Sequence, residues 1–249
     1  MRSLEVLRRL HGQLAVATRS PWVWVVQGVH PDTVPPISHP RPSLRGEYVT
    51  PASLGYELPK CRQPEVAFAG RSNAGKSTLI GQLVGNSKLV RTSKAPGCTK
   101  TVNFFTVRDG DVPHLDLYLV DLPGYGFARQ NKRAVREWTK IVHNYLDGRP
   151  RVVLQRTFVL VDSRHGIQPG DEHMLSVLDN AQVPNQVVLT KVDKVTPHDL
   201  VRSIESVCRA IVVHPSSVPV VHCVSAHKGL GMEEFTNTVW NLTKAPRAQ

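Results

Sequence analysis

The chain has little of what would place it outside a reducing compartment or inside a bilayer. Its 249 residues include only four cysteines, Cys61, Cys98, Cys208 and Cys223, with no C-x-x-C spacing. Four are too few to scaffold a chain of this length, so free thiols in a reducing compartment are expected. The eleven histidines contain no H-x-x-x-H pair, and no structural metal is expected from them. Long apolar runs are missing as well: the stretch 22–26 is too brief to cross a bilayer, and no integral membrane span is expected. Acidic residues are scarce beside basic ones, 20 against 31, for a formal net charge of +11. That balance favours a polyanionic partner, nucleic acid or an anionic membrane surface, without choosing between them. What is present is 41% hydrophobic residues, enough over this length for a sizeable core.

The N-terminus differs from the rest. Residues 1–30 carry Arg2, Arg8, Arg9 and Arg19 against the single acid Glu5. Drawn as a helix, Leu4, Leu7, Leu10 and Leu14 fall on one side, with Arg2, Arg9 and Arg19 on the other. Such an amphipathic, arginine-rich start resembles a mitochondrial transit peptide and predicts the mitochondrial matrix as location. A plastid address, or a retained helix that packs on a partner in a cytoplasmic protein, are the alternatives. Prolines then recur, among them Pro35, Pro36, Pro40, Pro42 and Pro51, which predicts an extended linker over 31–52 with little helix. The compact domain is expected to start near Thr50 and to run over 53–243, with 244–249 as a tail.

Residues 70–77 read G-R-S-N-A-G-K-S, between the apolar run Val66, Ala67, Phe68, Ala69 and a helix-like stretch that opens at Thr78. Strand, glycine loop and helix start together place backbone N–H groups around a polyphosphate. Gly70 and Gly75 let the chain wrap closely, with Arg71, Ser72, Asn73, Ala74 and Thr78 completing the cradle. Lys76 is expected on the β and γ phosphates and the Ser77 hydroxyl on Mg²⁺. Downstream, Lys94 to Phe105 form a polar loop leading into a strand, where a threonine would fold over the γ-phosphate and complete the metal shell. Thr99 is the expected residue, with Thr101 as the alternative. D-L-P-G follows at 121–124, Asp121 serving Mg²⁺ through water and the Gly124 N–H sensing the γ-phosphate.

The base is read by T-K-V-D at 190–193. The Asp193 carboxylate accepts from guanine N1–H and N2–H₂, donors that adenine lacks, while the Lys191 stem covers the ring beside Thr190. S-A-H-K-G follows the strand-like run 220–224, and the backbone of Ser225, Ala226 and His227 would receive guanine O6. Each box alone is weak, but all of them in order beside strand-like runs argue for GTP or GDP as ligand.

Periodicity predicts strands near 66–69, 102–107, 115–120, 157–162, 187–190 and 219–224. Helices are predicted near 76–84, 133–146, 171–180, 198–211 and 231–243. Their alternation predicts an α/β fold, a mostly parallel sheet with helices on both faces. The Arg108-Asp109-Gly110-Asp111 turn joins two strands directly and predicts one antiparallel edge strand.

The strings V-A-F-A-G-R-S-N-A-G-K-S (66–77), P-G-C-T-K-T-V-N-F-F (96–105), D-L-P-G-Y-G-F-A (121–128) and D-S-R-H-G (162–166) resemble the EngB family, also called YihA or YsxC. These are GTPases that assist assembly of the large ribosomal subunit. The similarity covers about residues 53–243. It implies a Ras-like P-loop GTPase domain, GTP/GDP and Mg²⁺. It also implies a large ribosomal subunit precursor as partner, through ribosomal RNA or ribosomal proteins, together with other assembly factors. A monomer that does not bind DNA is expected. Bacterial members lack so long a basic leader, and Cys98 stands where an arginine is common.

Ras-type enzymes place a glutamine just after D-x-x-G, whereas this chain has Tyr125, which has no amide to orient a water. Slow hydrolysis is therefore expected, aided by a partner or by a cation. Related GTPases use an asparagine in the glycine loop to hold K⁺, which makes Asn73 a candidate for catalytic help alongside Lys76, Thr99 and Gly124. The alternative is that Asn73 only caps the loop. In the segment around and after D-L-P-G, the second switch of such GTPases, Arg129, Lys132, Arg133, Arg136 and Lys140 oppose Glu137, a face suited to RNA. The expected function is a slow GTPase that times large-subunit assembly. A GTP-stabilised ribosome-binding module and a membrane-associated or cytoskeletal GTPase are the alternatives.

Overall fold

The computed structural model describes residues 15–18, 20–27, 44–52, 58–60, 63–85, 101–109, 116–126 and 132–242. Two compact units divide the chain, Met1–Arg41 with Phe158–Thr238, and Pro42–Thr157 with Val239–Gln249.

The unit built around Pro42–Thr157 holds β3 (Leu44–Ala52), β4 (Glu65–Gly70), β5 (Val102–Asp109) and β6 (Asp116–Asp121), with helices α1 (Lys76–Leu83) and α2 (Lys132–Asp147). Beyond Glu65, strand β4 is a continuous apolar run, and it is buried along its whole length, as expected of an inner strand. It pairs in parallel with β6. Strand β5 pairs antiparallel with β6, the pair predicted from the connecting turn. Outside β5 lies β3, also antiparallel, with its register broken between Tyr48 and Pro51. Helix α1 buries Leu79, Ile80 and Leu83, and α2 buries Ile141, Val142, Tyr145 and Leu146, both at helical spacing.

In the other unit β8 (Asn185–Thr190) pairs in parallel with β9 (Val220–Cys223). Strand β2 (Val23–Val26) pairs antiparallel with β9, and β1 (Ala15–Ala17) antiparallel with β2. Strand β7 (Leu154–Asp162) starts in one unit and ends in the other. Helices α3 (Pro169–Asn180), α4 (Pro197–Val212) and α5 (Met232–Asn241) complete the order. Proline at the first turn and a cap fix two of these starts. Gln168 and Asp171 form a capping box on α3, and the Thr196 hydroxyl accepts the Asp199 N–H on α4.

Two boundaries read from sequence are corrected. The domain start expected near Thr50 falls inside β3, which opens at Leu44. Proline recurrence suggested a linker there, but Pro51 sits at the register break, where a strand tolerates a missing N–H. The stretch 1–30 was assigned to a leader, yet Val23, Trp24 and Val25 are only 2%, 0% and 0% exposed. A strand of four apolar residues is too short a run to register as one, and pairing with β9 supplies what the local pattern lacks. The amphipathic helix drawn over Leu4 to Leu14 lies outside the described residues, as do the Gly110-Asp111 turn and the tail 244–249. Among the described residues no helix is long and apolar enough to cross a membrane.

Candidate functional site

The phosphate loop is held by backbone geometry that its sequence anticipates. Strand β4 ends at Gly70, the chain turns through Asn73 at φ 67 and Gly75 at φ 93, and α1 begins at Lys76. Asparagine is among the few non-glycine residues at home in left-handed backbone, so Asn73 has a conformational reason to be there. The Ala74 N–H closes the turn onto Arg71 O at 3.0 Å. Helix α1 has no acid in its first turn and no side-chain cap, which leaves its N-terminal N–H groups for an external anion. The Lys76 ammonium donates to the Asp121 carboxylate, both side chains being almost wholly buried.

The second switch is tied directly to this loop. Ser72 N–H donates to Tyr125 O at 3.0 Å, Tyr125 N–H to Gly70 O at 3.4 Å, and Leu122 N–H to Phe68 O at 3.0 Å. Gly124 is the residue that permits the approach: a Cβ there would lie 3.1 Å from Ser72 Oγ. Tyr125 is buried, its ring edge-on to Trp138 at a centroid distance of 5.7 Å. The Trp138 Nε1–H donates to Pro123 O at 2.8 Å, so helix α2 is anchored to the D-L-P-G-Y loop. Thr99 lies outside the described residues. Thr101 stands at the mouth of β5, its hydroxyl directed at Asn103 Oδ1.

A hard cation fits the donors present. Ser77 Oγ is buried without a hydrogen-bond partner, an orphaned acceptor one residue into α1, and Asp121 supplies a buried carboxylate. Oxygen donors of this kind suit Mg²⁺.

In the other unit the residues expected to read the base assemble around Asp193. Its Oδ1 accepts the Ser225 hydroxyl at 2.6 Å, and Lys194 Nζ is 3.6 Å from Oδ2. The Ser225 hydrogen bond is the chief reason its pKa is lowered, which keeps the carboxylate an acceptor. The Ser225 oxygen also takes the Lys228 N–H at 3.1 Å, and the loop closes through Ser225 N–H to Leu230 O at 2.9 Å. Ala226 is half-buried and His227 exposed. Thr190 is buried and donates to Val161 O at 3.3 Å.

Lys191 adopts left-handed backbone, φ 57, and its Nζ reaches Asp162 Oδ2 at 2.8 Å. Asp162 is the residue that motif reading left out of the site, although it opens the D-S-R-H-G string. Burial pushes its pKa up, but hydrogen bonds from Arg164 at 2.9 and 2.7 Å and from Lys191 outweigh that and hold it below the usual carboxylate range. It thereby anchors the lysine whose stem was expected to cover a base.

A glycine loop leading into a helix, an acid at the end of the neighbouring parallel strand, and a T-K-V-D aspartate held by a serine hydroxyl define a P-loop GTPase. Comparison with known proteins agrees. The family model described as 50S ribosome-binding GTPase matches residues 65–191, and that of the elongation factor Tu GTP binding domain matches 151–245. The chain is 48% identical over 184 residues to a Probable GTP-binding protein EngB of Mesorhizobium japonicum, covering 72% of this chain and 84% of that one. With the EngB protein of Rhizobium etli the identity is 41%, over 84% of this chain and 95% of the relative. A crystal structure of a probable EngB protein superposes with a TM-score of 0.54 at 25% identity, covering 73% of this chain and 100% of that one. The fold is shared with bacterial selenocysteine-specific elongation factor EF-Sec, TM-score 0.55 at 23% identity, covering 74% and 29%. The chain belongs to the EngB family of GTP-binding proteins, and is a GTPase.

Proposed function

We propose that this GTPase times assembly of the large ribosomal subunit in mitochondria, docking on an immature particle with GTP bound and leaving after hydrolysis. The observation that carries this reading is the exposed line of Arg133, Arg136 and Lys140 on α2. That helix is fastened through Trp138 to the loop whose glycine would sense the γ-phosphate. A basic face moved by a nucleotide switch suits an RNA backbone.

In this reading Lys76 and the loop N–H groups would neutralise charge developing on the phosphates, Ser77 would ligate Mg²⁺, Asp121 would serve it through water, and Thr99 would fold over the γ-phosphate to complete the metal shell. The metal supplies further charge neutralisation when bound. Asp193 accepts from guanine, Lys191 lies along the ring, and the Ser225-Ala226-His227 backbone receives O6. Tyr125 is packed away against Trp138, so water positioning falls to a partner or to K⁺ held near Asn73, and unaided turnover is slow. Equal rates in KCl and NaCl at matched ionic strength would remove the K⁺ role.

Sedimentation with ribosomal particles tests the main reading. Association with a large-subunit precursor is expected with a non-hydrolysable GTP analogue and is weaker with GDP. No association in either state sinks it. The burial of Tyr125 also favours a second reading, a module that GTP merely stabilises. Single-turnover hydrolysis that large subunits fail to stimulate would select it.

A further inference from the structure

Strands β1 and β2 complete no nucleotide motif, yet they are built onto the strand that carries the base-reading loop. Trp22 O accepts the Cys223 N–H at 2.8 Å and Val26 N–H donates to Pro219 O at 3.1 Å, so the pairing brackets β9 from end to end. Val23 and Val25 pack with Val220 and Val218. Trp24 is fully buried, its Nε1–H on Pro21 O at 3.0 Å.

Two residues beyond Cys223, Ser225 opens the loop that closes at Leu230. The next residue, Gly231, has φ +64, and a Cβ there would stand 2.1 Å from Cys223 O and 3.0 Å from Trp22 Cβ. The exit of the loop is therefore pressed against Trp22. One turn on, Glu234 accepts the Ser20 hydroxyl at 2.5 Å, and the same Ser20 oxygen takes the Trp22 N–H at 3.2 Å. The entry of the loop is thus held by β2 on β9, and its exit by Trp22 and Ser20. Between them Ser225 fixes Asp193.

We propose that residues 20–26 are a positioning element of the guanine-reading loop, and that any N-terminal processing compatible with nucleotide binding leaves them in place. This rests on the reading of Asp193 and Ser225 as guanine ligands. Loss of β2 strips one side of β9 of hydrogen bonds and frees both ends of the loop, so Ser225 no longer holds Asp193 in one orientation. Recognition of the guanine exocyclic amine suffers most, because it needs the second carboxylate oxygen aligned. Inosine diphosphate lacks that amine and keeps the rest. The ratio of inosine to guanosine diphosphate off-rates is a readout that general destabilisation does not move.

Full-length protein is compared with chains beginning at Ala15 and at Gly28. The first is expected to match the full chain, while the second narrows the off-rate ratio by at least threefold; a smaller narrowing overturns the proposal. Should the shorter chain fail to fold, Ser20→Ala in the full chain decides. A faster guanosine diphosphate off-rate with a narrowed ratio is expected, and unchanged off-rates, whatever the melting temperature, overturn the proposal. Asp193→Asn is the control: if it keeps the guanine preference, the site reading fails rather than this one. N-terminal sequencing of protein isolated from its cells is expected to find a start at or before Ser20, and a later start overturns retention.

Discussion

Asp193 and Ser77 carry opposite lessons about single residues. Asp193 stands out from its motif alone, and the structure adds the Ser225 hydroxyl that orders its carboxylate. On the proposed reading, replacing it with alanine removes two charge-assisted hydrogen bonds to guanine. Affinity is expected to fall by about 3 kcal/mol, roughly a hundredfold, in a nucleotide titration. Ser77 was legible as a metal ligand only through the loop around it, and its buried, partnerless oxygen gives that assignment a physical basis. Ser77→Ala removes an acceptor and leaves no stranded partner, so the apoprotein should melt within about 1 kcal/mol of the parent. The Mg²⁺ dependence of GTP binding should weaken at least tenfold, measured by titrating the metal. Asp162 shows what motif reading missed. Its role is to hold Lys191, and a contact between residues 29 apart in sequence leaves no local signature.

Among the elements, β4 was read correctly as the strand that delivers the phosphate loop, but its first residue carries an unannounced charge. Glu65 is fully buried, receives the Tyr145 hydroxyl at 2.9 Å and lies 3.1 Å from Arg149 Nε. Arg149 in turn donates to Pro59 O at 2.8 Å and stands over the rings of Phe104 and Tyr145. Burial outweighs the arginine and raises the Glu65 pKa from 4.5 to about 7. Between those values the folded protein keeps a proton that the unfolded chain has lost. Its contribution to stability is therefore fully present below pH 4.5 and is lost as the pH rises through 7. The loss amounts to about 3 kcal/mol at most. Thermal melts across that window should show the decline, and Glu65→Gln should flatten it. Helix α2 connects this cluster to Trp138 and the second switch. Trp138→Phe removes the donor to Pro123 O while keeping the ring against Tyr125, and should cost about 1 kcal/mol in a melt. Strands β2 and β3 were not legible. One is four residues long and the other contains a proline, so their place depends on hydrogen-bonding partners far along the chain.

On the scale of the whole molecule, the net charge of +11 predicts salt-sensitive association with a polyanionic particle. Neutralising Arg133, Arg136 and Lys140 one at a time should each reduce the slope of log affinity against log salt by about one. An unchanged slope would place the contact elsewhere. The sequence by itself determined the alternation of strands and helices, the nucleotide boxes and their order, because periodicity and glycine loops are local properties of backbone and side chain. It determined the family as well, through strings that need no folding to be compared. Only the tertiary structure decided that Val23–Val26 is a strand, that Asp162 holds Lys191, and that Ser225 holds Asp193. Each of these is a pairing between groups far apart in sequence, and its energy exists only once the sheet has brought the partners within hydrogen-bond reach.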